Sequence, residues 1–145
     1  MKRLSFSCAM LFFAASAPAT PDAEPSAREL HLAQCVAALD VNTQRLAQEV
    51  KAGRVQARAL LQARLEAGTA FIGDAYLHSG QSEAKAKALA AKALEDQKSL
   101  SEGELAARQT ACADEGTALF KSGNALERVI VRRLAKSRMQ KLLGS

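Results

Sequence analysis

After Pro25 the chain contains no proline, so nowhere beyond that point does a missing amide or a fixed ring break a helix. Ala, Leu, Glu, Lys, Arg and Gln dominate this stretch, and these are the strongest helix formers. Runs of Val, Ile, Thr and Tyr that would build strands are missing. The nearest candidate is Val129-Ile130-Val131, three residues inside an otherwise helical pattern. The expected fold class is all-α.

Apolar spacing and caps divide the chain. A first helix is expected from about Ala27 to Ala52. Leu32, Val36, Leu39, Thr43, Leu46 and Val50 form its seam in alternating steps of four and three, and Gly53 closes it as a left-handed cap. The second, Val55 to His78, carries Leu61, Leu65, Gly68, Ile72 and Tyr76, and ends at Ser79-Gly80. Gly68 and Gly73 each weaken a helix by roughly 1 kcal/mol, which points to close approach of a neighbouring helix at both. The third, Ser82 to Gln97, has a narrow face of Ala86, Leu89, Ala90, Ala93 and Leu94; it buries little and is expected to be the least stable.

The fourth helix starts at a capping box, Ser101 with Glu104 three residues on. Its stripe is Leu105, Gln109, Cys112, Gly116 and Leu119, and Lys121-Ser122-Gly123 offers a stop. Asn124 with Glu127 repeats the capping-box spacing and opens a fifth stretch to about Leu143. One helix from Glu102 to Leu143, with Gly123 inside it, is the alternative; the repeated cap favours a break. The expected architecture is a four-helix up-down bundle over residues 27–123, followed by a basic amphipathic helix over 124–145.

The first nineteen residues read as an export signal. Lys2 and Arg3 precede an apolar run, Leu4–Ala15, and Ala17-Pro18-Ala19 presents small residues for a cut before Thr20. The run is about twelve residues, too short for the roughly 20 that span a bilayer. Thr20–Ala27, with Pro21 and Pro25, reads as a flexible leader. A periplasmic or secreted protein of a bacterial envelope is the expectation.

Two cysteines remain after such a cut, Cys35 and Cys112. In an exported chain an even pair reads as a disulfide. In an up-down bundle the first and fourth helices are antiparallel. Cys35 lies two turns into the first, and Cys112 two to three turns before the end of the fourth, so the levels match. A metal pair would need further ligands, and His31 and His78 stand at no recognisable metal-site spacing.

The motifs of catalysis are missing: no paired-histidine motif, no serine between glycines, no phosphate-cradling glycine loop. His31 reads as a solvated residue at the start of the first helix. His78 reads as a cation at the negative end of the second. There is no Cys-x-x-Cys-His for haem attachment. The expectation is a non-enzymatic protein without a cofactor. Gly73, Tyr76, Gly80 and the pair Ala93-Leu94 locally resemble a tetratricopeptide repeat hairpin, which implies a helix-turn-helix. No second copy follows at the repeat spacing, and repeats do not stand alone.

Charge points to the C-terminus. Removing Lys2 and Arg3 from the 20 basic residues leaves 18 against 15 acidic, a net +3. Residues 20–123 hold 12 basic and 14 acidic groups; residues 124–145 hold six basic and one acidic. Arg128, Arg132, Arg133, Lys136, Arg138 and Lys141 are the candidate interaction surface, beside Leu126, Ile130, Leu134 and Met139. Arg128, Arg132 and Lys136 fall at four-residue steps on one face. Such a helix suits an acidic protein partner or an anionic membrane surface. Nucleic acid is disfavoured, because the charge is local and only 4% of residues are aromatic. The expected role is an exported interaction protein: inhibitor or immunity-like, chaperone, or accessory subunit.

Overall fold

The computed structural model describes residues 24–78 and 82–144. The proposed signal, its cut, most of the leader and the Ser79-Gly80 stop lie outside the described residues. Within them are five helices, α1 (Ala27–Lys51), α2 (Ala57–His78), α3 (Glu83–Lys98), α4 (Glu102–Ser122) and α5 (Ala125–Leu143). No helix described is long and apolar enough to cross a membrane.

The caps explain the boundaries. Ser26, Ser101 and Asn124 each accept the amide three residues on, from Glu29, Glu104 and Glu127, whose carboxylates accept in return from the cap amides. Ser82 caps α3 by accepting from the Lys85 amide. Gly53 has φ +90°. Its amide donates to Val50 and that of Arg54 to Glu49, the paired bonds that satisfy the last carbonyls of α1. Gly123 is extended, with φ −62° and ψ 151°, so α4 and α5 are separate helices.

The helices enclose two clusters of buried side chains. The first joins α1, α2 and α4 through Leu32, Cys35, Leu39, Ala67, Phe71, Cys112 and Ala113. The second joins α1, α2 and α5 through Leu46, Ala47, Ala57, Leu61, Leu65, Ala135 and Met139. The α1–α2 hairpin is thus covered at one end by α4 and at the other by α5. The expected four-helix bundle gives way to a five-helix assembly, in which α5 builds core instead of following it. The break at Gly123-Asn124 lets the chain pass from the first cluster to the second.

Helix α3 packs chiefly on α1. It buries only Ala93 and Gln97, and neither polar atom of the Gln97 amide has a partner among the described residues. An unpaired buried amide is costly, so α3 is held by little. Tyr76 is exposed rather than part of the α2 stripe, and the resemblance to a repeat hairpin does not extend to its packing.

The glycines of α2 and α4 are not where the expectation put the close contact. Gly73 would meet nothing within 4 Å if it carried a Cβ, and Gly68 would meet Leu39 at an ordinary 3.8 Å. The tight place is Gly116, whose Cβ would lie 2.8 Å from the Ala67 carbonyl oxygen and 2.9 Å from the Phe71 ring. Gly116→Ala is expected to destabilise by about 1–3 kcal/mol through overpacking. Gly73→Ala is expected to stabilise by up to about 1 kcal/mol through helix propensity. Urea unfolding of both variants checks the opposite signs. The Glu104 carboxyl is held below its ordinary range by the Ser101 hydroxyl and amide that donate to it. Its contribution to stability is present at neutral pH and is lost as pH falls below 4.5 and through its lowered value. Glu104→Gln should flatten that part of the stability-versus-pH curve measured by circular dichroism.

Candidate functional site

Two places gather the residues singled out in the sequence. The first is the contact between α1 and α4. Cys35 and Cys112 form a disulfide with their Cα atoms 5.2 Å apart, and both are buried. The pairs Cys35–Cys112, His31–Glu115 and Asn42–Gln109 run in opposite orders along the two helices. The helices are therefore antiparallel, and the matching of levels read from the sequence holds. The loop closed by this bond, with 77 residues of separation, corresponds to about 4.5 kcal/mol in the chain-entropy treatment.

His31 is less isolated than its sequence position implied. It lies one turn before Cys35 on α1, and Nε2 sits 3.8 Å from the Cys35 Sγ and 2.8 Å from Glu115 Oε2 on α4. Glu115 lies three residues after Cys112. The i, i+4 and i, i+3 spacings of these two pairs were legible in the sequence; that the pairs face each other needed the antiparallel helix contact. His78 stands at the C-terminus of α2 as expected, with Nδ1 3.0 Å from the Asp74 carboxylate. The same carboxylate receives Arg28 from α1 at 2.6 Å.

The second place is α5. Its six basic residues do not form one surface. Arg128 donates to the carbonyls of Gly123 and Lys121 and so closes the α4–α5 turn. Arg132 stacks over the Phe120 ring, 5.3 Å from its centroid. Arg138 pairs with Asp40 of α1. Arg133, Lys136 and Lys141 are exposed and make no ion pair among the described residues. The face expected to carry Arg128, Arg132 and Lys136 is thus mostly engaged in holding α5 to its neighbours.

The apolar residues of α5 separate in the opposite sense. Ala135 and Met139 are buried, while Leu126, Val129, Ile130 and Leu134 are 68%, 61%, 49% and 55% exposed. Two apolar rows therefore run along α5. One turns into the second core cluster, and the other, spaced at Leu126, Ile130 and Leu134, turns outward. The sequence listed Met139 with the outward row because both rows are apolar; small Ala135, at the centre of the inner row, gave no sign of it.

Beside α5 an open groove of about 420 Å³ lies between α2, α4 and α5, with Ala63 and Ala67 among its lining residues and Lys121, Arg128 and Arg132 as its cations. Glu66 also lines it. A second groove, about 200 Å³ and largely apolar, lies between α1, α2 and α3, where Leu32, Val36, Ile72, Tyr76 and Leu89 meet.

Reduction, or Cys112→Ala, is expected to lower the melting temperature of the oxidised protein by several degrees, since a native disulfide contributes roughly 2–4 kcal/mol. Scanning calorimetry with and without a phosphine reductant measures this, and thiol titration of the unreduced protein should find no free thiol at either position. Comparisons with known protein families, curated proteins and solved structures find no match to this chain.

Proposed function

We propose that this chain is a non-enzymatic helical interaction protein of the bacterial envelope, exported by its N-terminal signal, and that it docks a partner protein along the outer face of α5. The observation that carries this reading is the outward row of Leu126, Ile130 and Leu134, with Val129 beside it, on a helix whose other apolar row is already buried. Four large apolar side chains this exposed on one helix face mark an interaction surface. Their four-residue spacing suits a partner helix laid along α5, with side chains interdigitating as they do between packed helices.

The partner's chemistry follows from the charges left over. Arg133 lies within the apolar row, Lys136 and Lys141 are exposed, and the neighbouring groove adds Lys121 and Arg132. An amphipathic helix with acidic flanks satisfies both the apolar row and this positive surround. An anionic membrane surface suits the position less well. A charge within the row opposes insertion, and no aromatic residue lies on this face to anchor it. Roles of this kind include an inhibitor or immunity-like protein, a chaperone, or an accessory subunit of an envelope assembly.

The test places a photo-crosslinking residue at position 134 in the exported protein and compares it with Ile130→Glu. The expected result is one cross-linked envelope protein, joined through an acidic amphipathic helix and lost with Ile130→Glu, while the circular dichroism of that variant is unchanged. Salt-sensitive flotation with anionic vesicles, in place of a protein cross-link, would overturn the reading in favour of a membrane surface. The same cross-link yield from the Ile130→Glu variant would refute the α5 face as the docking site.

A further inference from the structure

We propose that the α1–α4 contact is a redox-gated zinc site: when the Cys35–Cys112 disulfide is reduced, its two sulfurs join His31 and Glu115 to hold one divalent zinc ion. The four residues are a complete set of the ligand types that zinc accepts, two thiolates, an imidazole and a carboxylate. They come as His31 and Cys35 at i, i+4 on α1, and Cys112 and Glu115 at i, i+3 on α4. These spacings place each pair on one face of its helix, and the antiparallel contact turns the two faces toward each other.

The distances among His31, Cys35 and Glu115 suit one small ion, and the two sulfurs, bonded to each other in the disulfide, part on reduction to roughly 3.8 Å around it. The donor atoms of His31, Cys35 and Glu115 all lie within 4.8 Å of one another, and Cys112 is bonded to Cys35. Tetrahedral zinc, with bonds of about 2.3 Å to sulfur and about 2.05 Å to nitrogen, sets nitrogen and sulfur about 3.5 Å apart. His31 Nε2 and Cys35 Sγ stand at 3.8 Å. The imidazole and carboxylate, now 2.8 Å apart, must open by roughly half an ångström. Both side chains are about half exposed, which gives them freedom to do so and gives the ion a path from solvent. The sulfurs are buried and close the inner side.

The chemistry balances with a dithiol as reductant. Two electrons and two protons pass from the dithiol to the disulfide. The Cys35–Cys112 bond breaks, two thiols form, and the dithiol closes to its own disulfide. Zinc then displaces the two thiol protons, which leave to solvent. Oxidised, the four residues form a covalent staple with an imidazole–carboxylate contact beside it; reduced, they form a metal staple across the same two helices.

The experiment reduces the full chain with a phosphine, removes the excess anaerobically, and titrates with cobalt(II) and then zinc. The expected result is one equivalent of cobalt bound with the thiolate charge-transfer band and visible bands of a tetrahedral sulfur site, displaced by zinc. The unreduced protein should show neither band. In the reduced state His31→Ala and Glu115→Gln are each expected to weaken zinc about tenfold or more, because each removes one of four ligands. Zinc should also raise the melting temperature of the reduced protein and restore any helicity lost on reduction. Zinc affinity unchanged by both His31→Ala and Glu115→Gln would overturn the proposal, since it would leave the two cysteines acting alone. So would a reduced protein that binds zinc no better than the Cys35→Ser/Cys112→Ser variant, or one whose melting temperature zinc does not move.

Discussion

The bond between Cys35 and Cys112 fixes the level at which α4 lies on α1, and much of the first core cluster depends on that level. With α4 held there, Gly116 meets the backbone of Ala67 and the ring of Phe71, a contact that no larger residue permits. Phe71, fully buried, is the one large aromatic in clusters otherwise built from leucines, alanines, Met139 and the cystine itself. A chain with so few aromatics gains less from burial per side chain. Covalent closure and very close helix approach supply what a bulkier core would otherwise provide.

Helix α1 is the common element of the assembly. It contributes to both core clusters, and α3 leans on it as well. Nine of its residues are buried, including Asn42 and Thr43. Asn42 donates to Gln109 of α4, and the Thr43 hydroxyl returns to its own helix at Asp40. A helix surrounded on several sides has a broad buried surface rather than a single stripe, and small residues such as Ala38 and Ala47 let neighbours come near on more than one side. Helix α3 buries only Ala93 and Gln97, and the Gln97 amide has no partner among the described residues.

How much of this was legible in the sequence depended on how local the cause was. Helix limits are set by caps a few residues long, and the reciprocal bonds at Ser101–Glu104 and Asn124–Glu127 are where the spacing put them. The disulfide was legible because the expected cut before Thr20 would leave two cysteines, Cys35 and Cys112, and helix length fixes their heights. Burial was harder to read wherever a helix offers two apolar faces. Phe71 lies next to the expected α2 stripe, and α2 turns it inward because α4 packs there as well as α1. On α5 both rows are apolar, so spacing alone did not separate the buried Met139 from the outward Leu126, Ile130 and Leu134. The neighbours of His31 were out of reach for a different reason: Glu115 is 84 residues away, and only the antiparallel contact brings it near.

The same disulfide gives the protein a particular topology. Residues 35–112 form a closed ring that includes most of α1, all of α2 and α3, and the first half of α4. Helix α5 belongs to the free tail that leaves this ring after Cys112, and it crosses to the second core cluster through the extended residue Gly123. Its attachment rests on Ala135 and Met139 with Leu142 and Leu143 beside them, the Arg138–Asp40 pair, the Arg132–Phe120 stack and the Arg128 bonds at the α4–α5 turn, all non-covalent. Helix α5 is therefore joined to the ring's half of the second core by packing and polar contacts, with no covalent cross-link of its own. Among the described helices, the surface proposed to meet a partner is carried by the one that lies wholly outside the covalent loop.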